Sequence, residues 1–301
     1  MSANVQTEIT LTPHLKVSYE TCGPSDGRTV LLLHGWPYSL RSFDQVRGPL
    51  AESGLRVIVP ELRGFGETRY RDPSVMLTAQ QAALGSDVIE LMDSLGLETA
   101  VLVGYDWGGR GACVAAALWP ERVSGLVTMQ GYTIIERAKQ ATIPPANAQA
   151  IHNHWYRWVM QIKLGETILE QMREEFTREC WRTFSPKWMF TDEQFQEQSR
   201  SFHNPDWVAT TLQQYRWWYA NAEGSPELEP IERKLATLPA IASPTIALVG
   251  DSDPLYPPSA TEGQEGHYTA SYERRLLPGI GHCPAMEAPL EVVKAVKDLC
   301  L

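Results

Sequence analysis

One aspartate lies in a glycine-rich stretch at a point where a strand should turn sharply into a helix. The stretch VGYDWGGRG, residues 103–111, follows one apolar run and precedes another, and its central residue is Asp106. A carboxylate is ionised at pH 7, so it can attack a saturated carbon without first losing a proton. Such an attack would leave an alkyl ester on Asp106, which water must then cleave. The alternative is that Asp106 only caps the turn through local hydrogen bonds.

Cleavage of such an ester needs a general base, and histidine is the side chain that titrates nearest to neutral pH. The chain has seven histidines: His14, His34, His152, His154, His203, His267 and His282. The stretch GDSD at 250–253 adds two carboxylates, Asp251 and Asp253. Either of these carboxylates could orient an imidazole.

The segments that carry these residues alternate between short apolar runs and amphipathic stretches of helical length. This pattern is typical of a mostly parallel sheet covered by helices. The predicted strands are KVSYETCG (16–23) as the first, followed by TVLLLHGWP (29–37), LRVIVP (55–60), TAVLVG (99–104), RVSGLVTMQ (122–130), PTIALVG (244–250) and SYERRLLPG (271–279).

The pattern changes between residues 134 and 235, where helical stretches replace the buried strands. Seven of the ten tryptophans lie in this region: Trp155, Trp158, Trp181, Trp188, Trp207, Trp217 and Trp218. We therefore predict a core domain of residues 1–133 and 236–301, interrupted by a helical cap of residues 134–235. An aromatic-rich insertion suggests a lid over a mostly apolar pocket. The alternative is that the tryptophans simply fill a helical core.

Composition restricts the classes of function. The chain has 301 residues, 43% of them hydrophobic, and a formal net charge of −10 without a basic run. This charge argues against nucleic acid or an anionic membrane surface as a partner. The N-terminus lacks the pattern of a signal peptide, so a cytoplasmic protein is expected. The scattered cysteines predict reduced thiols and no metal site: Cys22, Cys113, Cys180, Cys283 and Cys300.

Five short motifs occur in a characteristic order. They are HGWP (34–37), RGFGET (63–68), GYDWGG (104–109), GDSD (250–253) and GIGH (279–282). Together they resemble the α/β-hydrolase fold over nearly the whole chain. An aspartate at the central turn narrows the resemblance to epoxide hydrolases, haloalkane dehalogenases and haloacetate dehalogenases. The fold implied is a mostly parallel sheet flanked by helices, with an inserted helical cap.

The resemblance also implies roles for individual residues. Asp106 would be the nucleophile and His282 the base, while Asp253, third after the glycine of GDSD, would orient the imidazole. The backbone N–H groups of Trp36 and Trp107 would form an oxyanion hole for the ester carbonyl. Loss of one such donor costs about 2.7–4 kcal/mol in the barrier.

The leaving group separates the members of this branch. An opening epoxide produces an alkoxide, which must be protonated. The resemblance to epoxide hydrolases implies that two tyrosines of the cap donate to this oxygen. Tyr156, followed five residues later by Gln161, fits the first of them. Tyr215, followed by an arginine, fits the second, with Tyr219 as a rival. A halide needs only weak donors such as an indole N–H.

Some residues favour a halide instead. The pair His154–Trp155 resembles the halide-binding pair of haloacetate dehalogenases, and Arg110 matches one of two arginines in their elbow. However, Trp107 stands where those enzymes have the other arginine. Trp107 resembles the residue that haloalkane dehalogenases have after the nucleophile. However, Trp36 stands after HG, where those enzymes usually have an asparagine.

From these observations we expect a cofactor-free hydrolase that opens an epoxide to a vicinal diol through an ester of Asp106. The alternatives are a dehalogenase with the same Asp106, His282 and Asp253 triad, or a non-catalytic receptor of the same fold. The expected partner is a small apolar or amphipathic substrate, with no metal, nucleic acid or membrane involved.

Overall fold

The computed structural model describes residues 5–300, and its strands form one nine-stranded sheet. The strands are β1 (Gln6–Leu11), β2 (Leu15–Cys22), β3 (Thr29–Leu33), β4 (Arg56–Pro60), β5 (Arg69–Tyr70), β6 (Ala100–Gly104), β7 (Val123–Thr128), β8 (Thr245–Gly250) and β9 (Tyr272–Leu277). Their order is β1-β2-β4-β3-β6-β7-β8-β9, and β5 pairs with β2.

The sheet is parallel from β4 to β9 and antiparallel where β1, β2 and β5 join it. Every residue of β3, β6 and β8 is buried, as expected for parallel strands covered on both faces. These strands coincide with the continuous apolar runs of the sequence. The predicted fold class, a mostly parallel sheet flanked by helices, is confirmed.

The prediction that residues 16–23 form the first strand is wrong, because β1 precedes β2. Strand β1 lies at the edge of the sheet and pairs with β2 through a six-residue register. Its residues are almost all exposed. An edge strand exposed to water carries no continuous apolar run, so the sequence pattern that indicates buried strands is absent from β1.

Helices follow β3, β5, β6, β7 and β9 along the chain. They are α1 (Asp44–Glu52), α2 (Gln81–Ser94), α3 (Asp106–Leu118), α4 (Arg137–Gln140), α5 (Ala148–Asn153), α6 (Trp155–Gln161), α7 (Leu164–Gln171), α8 (Arg173–Phe184), α9 (Asp192–Ser199), α10 (Trp207–Trp218), α11 (Glu229–Leu235), α12 (Pro284–Glu287) and α13 (Pro289–Cys300). Short 3-10 turns are Leu40–Phe43, Pro120–Arg122, Arg200–His203, Pro226–Leu228, Pro258–Thr261 and Gln264–His267. Within residues 5–300, no helix combines the length and apolar character needed to cross a membrane.

Helices α4 to α11 all lie between β7 and β8, and we call residues 137–235 the inserted segment. Four of its tryptophans are buried: Trp181, Trp207, Trp217 and Trp218. The other three are partly exposed. Four of the seven tryptophans therefore fill a helical core, as the second interpretation of this region predicts.

Helix α3 packs directly on the sheet because glycines line its first turn. A Cβ at Gly108 would overlap the backbone carbonyl oxygens of Leu33 and His34 at the end of β3. A Cβ at Gly104 would lie 2.6 Å from the backbone carbonyl of Gly108. Backbone atoms cannot rotate away as a side chain can, so only glycine fits at these two positions.

Gly108→Ala should lower the free energy of unfolding by at least about 1–3 kcal/mol, because the methyl group forces helix and sheet apart. Gly266→Ala is the matched control, since a Cβ there meets no atom within 4 Å and the residue is exposed. It should change stability by less than about 0.5 kcal/mol. Urea unfolding of the two variants measures the difference, and equal stability would contradict the packing described.

Candidate active site

Asp106 begins α3 with a backbone φ of +50°. Left-handed φ values are uncommon for residues with a Cβ and cost about 1–3 kcal/mol, so neighbouring contacts must hold the turn. The side-chain oxygen of Gln130 provides one such contact, because Oε1 accepts the backbone N–H of Asp106 at 2.7 Å. The carboxylate of Asp106 is 7% exposed.

The loop after β3 brings a backbone donor to this carboxylate. The N–H of Trp36 donates to Oδ1 of Asp106 at 2.8 Å. Trp107 is the second residue of α3, where backbone N–H groups have no partner within the helix. Of the two residues predicted to form an oxyanion hole, Trp36 thus contacts the carboxylate of Asp106, and Trp107 follows Asp106 directly in α3. Their indole side chains are buried.

His282 lies on the other side of the carboxylate. Its Nε2 is 3.5 Å from Oδ2 of Asp106, and its Nδ1 is 2.8 Å from Oδ2 of Asp253. The other oxygen of Asp253 accepts the backbone N–H groups of Leu255 and Tyr256. All three members of the predicted triad are buried.

Asp251, the other carboxylate of GDSD, is turned away from the imidazole. Its Oδ1 accepts the N–H of Gly279 at 2.7 Å and the hydroxyl of Ser252 at the same distance. It is exposed at the surface. Of the two carboxylates that the sequence offered, the structure brings Asp253 to His282.

Two carboxylates determine the protonation of His282. Burial alone lowers its pKa, but the charge of Asp253 and the close approach of Asp106 outweigh burial and raise the pKa to about 10. Burial alone would raise the pKa of Asp106, but His282, Arg110 and the Trp36 N–H outweigh it. The pKa of Asp106 therefore lies below its usual range. At neutral pH the imidazolium sits between two carboxylates.

Three polar residues that the sequence analysis did not select hold this arrangement in place. Gln130, which also binds the N–H of Asp106, donates its Nε2 to the carbonyl oxygen of His282 at 3.1 Å. The hydroxyl of Ser185 accepts the N–H of His282 at 3.0 Å and donates to Glu287 at 2.7 Å. Gln130 lies just after β7, at the carboxyl end of a parallel strand. Ligand sites of open α/β sheets form at these strand ends, so this position alone could have marked Gln130 as a candidate site residue.

Two tyrosines of the inserted segment pack against Trp36 in the loop that follows β3. The ring of Tyr156 stacks on Trp36 at 5.6 Å, and the ring of Tyr215 meets Trp36 edge-on at 5.2 Å. The two phenol rings are 5.7 Å apart. Burial is the main cause that raises the pKa of each phenol, and the charge of Asp106 raises both further. The structure thus brings Tyr156 and Tyr215 to Trp36, whose backbone N–H contacts Asp106.

The other predicted cap residues contact neighbours within the inserted segment. Tyr219 packs against Trp158 at 5.0 Å. The indole N–H of Trp155 donates to the hydroxyl of Thr183 at 3.1 Å. Burial lowers the pKa of His154 to about 4, so its imidazole is neutral at pH 7.

A cavity of about 700 Å³ adjoins the site. Its wall includes Arg110, His154, Arg157, Trp218, Tyr219 and Tyr256. The ring of Tyr256 also stacks on His282 at 5.9 Å, which connects the cavity wall to the triad. Among residues 5–300, no aspartate or glutamate lines this cavity.

Asp106→Asn should lower the pKa of His282, because it removes a carboxylate 3.5 Å from Nε2. Opposite charges at such distances change a pKa by about 1–3, so His282 should titrate roughly that much lower. Nitrogen-15 NMR of the imidazole measures the titration. Glu174→Gln, the same acid-to-amide change at an exposed site, should leave the titration of His282 unaltered. Identical titration in Asp106→Asn would contradict the pairing.

Comparison with known proteins agrees with this geometry. A family model described as the alpha/beta hydrolase fold matches residues 28–289. A solved structure of a candidate epoxide hydrolase from Klebsiella pneumoniae is 38% identical, with a TM-score of 0.94 over 98% of this chain and 97% of that one.

Curated relatives match over a shorter stretch. An epoxide hydrolase from Caballeronia sordidicola is 32% identical over 42% of this chain and 39% of its own length. Epoxide hydrolase B of Mycobacterium tuberculosis is 39% identical over 34% of this chain and 28% of its own length. The matched region thus spans roughly a third of these relatives. The family match covers most of the chain, and so the chain belongs to the α/β-hydrolase fold family, with epoxide hydrolases among its relatives.

Proposed function

We propose that this chain hydrolyses an epoxide to a vicinal diol through an alkyl ester of Asp106. The observation that carries the proposal is a buried carboxylate at a strained turn, with a histidine and a backbone donor on either side of it. An ordinary turn-capping aspartate would bond to its own turn. Here the carboxylate oxygens instead face Trp36 and His282, which belong to two other loops.

In the first step, an oxygen of Asp106 attacks a carbon of the epoxide. The carbon–oxygen bond of the ring breaks, and its electron pair moves to the departing oxygen. Tyr156 and Tyr215 are the acids for this step, since their rings pack on Trp36 and the charge of Asp106 raises the pKa of each phenol. One of them gives its proton to the departing oxygen, and the other donates a hydrogen bond to it. We assign residues 134–235 as the cap that carries these donors.

In the second step, water attacks the ester carbonyl and gives a proton to His282, whose imidazole Asp253 holds. The bond between the carbonyl carbon and the diol oxygen then breaks, the imidazolium returns the proton to that oxygen, and the carboxylate of Asp106 is restored. The N–H groups of Trp36 and Trp107 receive the charge that develops on the carbonyl oxygen. Esterification removes the negative charge of Asp106, one of two carboxylates that raise the pKa of His282. The imidazolium therefore loses its proton more readily once the ester has formed, and the first step prepares the base for the second.

The donors around the site favour an oxygen leaving group over a halide. Indole N–H groups, which a halide would need, are divided: that of Trp155 is bonded to Thr183 and that of Trp36 to Thr211. Those of Trp207 and Trp218 have no partner among the described residues, so the indoles alone do not decide between the two leaving groups. Phenol hydroxyls, by contrast, are acidic enough to protonate an alkoxide as it forms. Trp107, in place of an elbow arginine, also departs from the haloacetate dehalogenase pattern.

Panels of epoxides and haloalkanes test this function, with diol and halide both assayed. The wild type should release diol, and His282→Gln should slow ester hydrolysis by about 10²–10⁴-fold, so that intact mass shows substrate attached to Asp106. Asp106→Ala should form no adduct. Halide release without diol from any epoxide would replace the proposal with a dehalogenase, and binding without turnover of either panel would favour a receptor.

Oxygen-18 distinguishes a nucleophilic Asp106 from one that activates water. In a single turnover in ¹⁸O-water, with enzyme in excess, the new oxygen of the diol should come from the carboxylate and be mostly unlabelled. The peptide containing Asp106 should gain the label, because water attacks the ester carbonyl. A labelled diol with an unlabelled Asp106 would contradict the covalent mechanism but not the fold assignment.

A further inference from the structure

Arg157 is a buried cation whose neighbours are phenols. It lies on α6 next to Tyr156, is 9% exposed, and donates its Nε–H to the hydroxyl of Tyr156 at 2.9 Å. Burial lowers the pKa of Arg157, but four surrounding phenols raise it above its usual value: Tyr156, Tyr215, Tyr219 and Tyr256. A buried guanidinium normally has a carboxylate partner, since an unpaired buried charge is costly.

The cavity beside Arg157 offers no such carboxylate in the part of the chain that the structure describes. Its guanidinium instead lies 5.5 Å from the ring centre of Tyr156 and 5.7 Å from that of Trp218. These rings attract the cation through their faces, but each such contact contributes only about 0.5–2 kcal/mol. A phenolate on Tyr156 would be a far stronger partner for this charge.

The hydrogen bond from Arg157 also restricts what the hydroxyl of Tyr156 can do. The phenol oxygen already accepts the guanidinium N–H, so its own proton must point elsewhere. Trp36, beside the carboxylate of Asp106, covers one side of the ring, and Phe184 lies 4.9 Å away on another. Burial raises the pKa of Tyr156, and Arg157 opposes that rise.

We propose that Arg157 is a positioning residue that makes Tyr156 the principal proton donor to the departing oxygen. This inference rests on the proposed function. As the ring carbon–oxygen bond breaks, the proton of Tyr156 passes to the oxygen, and the phenolate left behind pairs with the guanidinium. Water restores the proton to Tyr156 before the next turnover. Tyr215 meets no arginine N–H and acts as the second hydrogen-bond donor.

A double-mutant cycle on the first step tests the coupling. Rapid-quench mass spectrometry measures how fast Asp106 is alkylated in the wild type, Arg157→Gln, Tyr156→Phe and the double variant. Arg157→Gln should slow alkylation about 10- to 100-fold and leave ester hydrolysis unchanged. Because Arg157 acts through Tyr156, the double variant should be no slower than Tyr156→Phe. Arg157→Lys, which keeps the charge, should recover part of the rate.

Arg216→Gln is the matched control, because Arg216 also joins α6 to α10 but donates to the backbone carbonyl of Met160 rather than to a phenol. It should alkylate at the wild-type rate. Multiplicative losses in the Arg157 and Tyr156 double variant would overturn the proposal. An equal slowing of alkylation and hydrolysis by Arg157→Gln would do the same, since it would indicate a general disturbance of the site.

Binding of benzamide, a neutral molecule whose carbonyl accepts hydrogen bonds, separates this inference from the proposed function. Calorimetry should show roughly 2- to 10-fold weaker binding to Tyr156→Phe and to Arg157→Gln, with no further loss in the double variant. A wild type that opens no epoxide yet shows this coupling would overturn the proposed function and keep the donor pair. Uncoupled losses would overturn the donor pair even if diol forms.

Discussion

The left-handed turn at Asp106 is the constraint on which the candidate site depends. A φ of +50° is unfavourable for a residue with a side chain, so the turn persists only because its surroundings hold it. Gly104 and Gly108 let the start of α3 approach the sheet at distances that no Cβ would permit. Gln130 binds the N–H of the turn. In return, the carboxylate projects beyond the end of β6, where side chains from other loops can reach it.

Buried charge links the members of the site to one another. The carboxylate of Asp253, the imidazole of His282 and the carboxylate of Asp106 follow in sequence, and the N–H of Trp36 ends the series. The carboxylates of Asp253 and Asp106 outweigh the desolvation of the imidazole between them, so the protonation of His282 depends on both. A reaction that neutralises Asp106 must therefore change the proton affinity of His282. On the proposed mechanism, this coupling orders the two steps without any movement of the backbone.

The sequence predicted those features that follow strong local rules. Strands buried on both faces appear as apolar runs, and the glycines around Asp106 indicate a turn that excludes side chains. The edge strand β1 escaped detection because its exposed residues carry no such run. Gln130 and Ser185 escaped for another reason: their partners at His282 are 152 and 97 residues away in the chain. Contacts between residues so far apart in the sequence leave no local pattern. The motifs that carry the resemblance include only the residues predicted to react.

The inserted segment supplies more than the walls of a pocket. The hydroxyl of Thr211 accepts the indole N–H of Trp36, and the hydroxyl of Ser185 accepts the backbone N–H of His282. Helix α6 of the same segment carries Tyr156. A change in this segment therefore acts on the loop that carries Trp36 and on His282, in addition to the wall of the cavity. On the proposed mechanism, selectivity and rate would therefore be coupled through this segment, which would be part of the reacting site and not a separate cover over it.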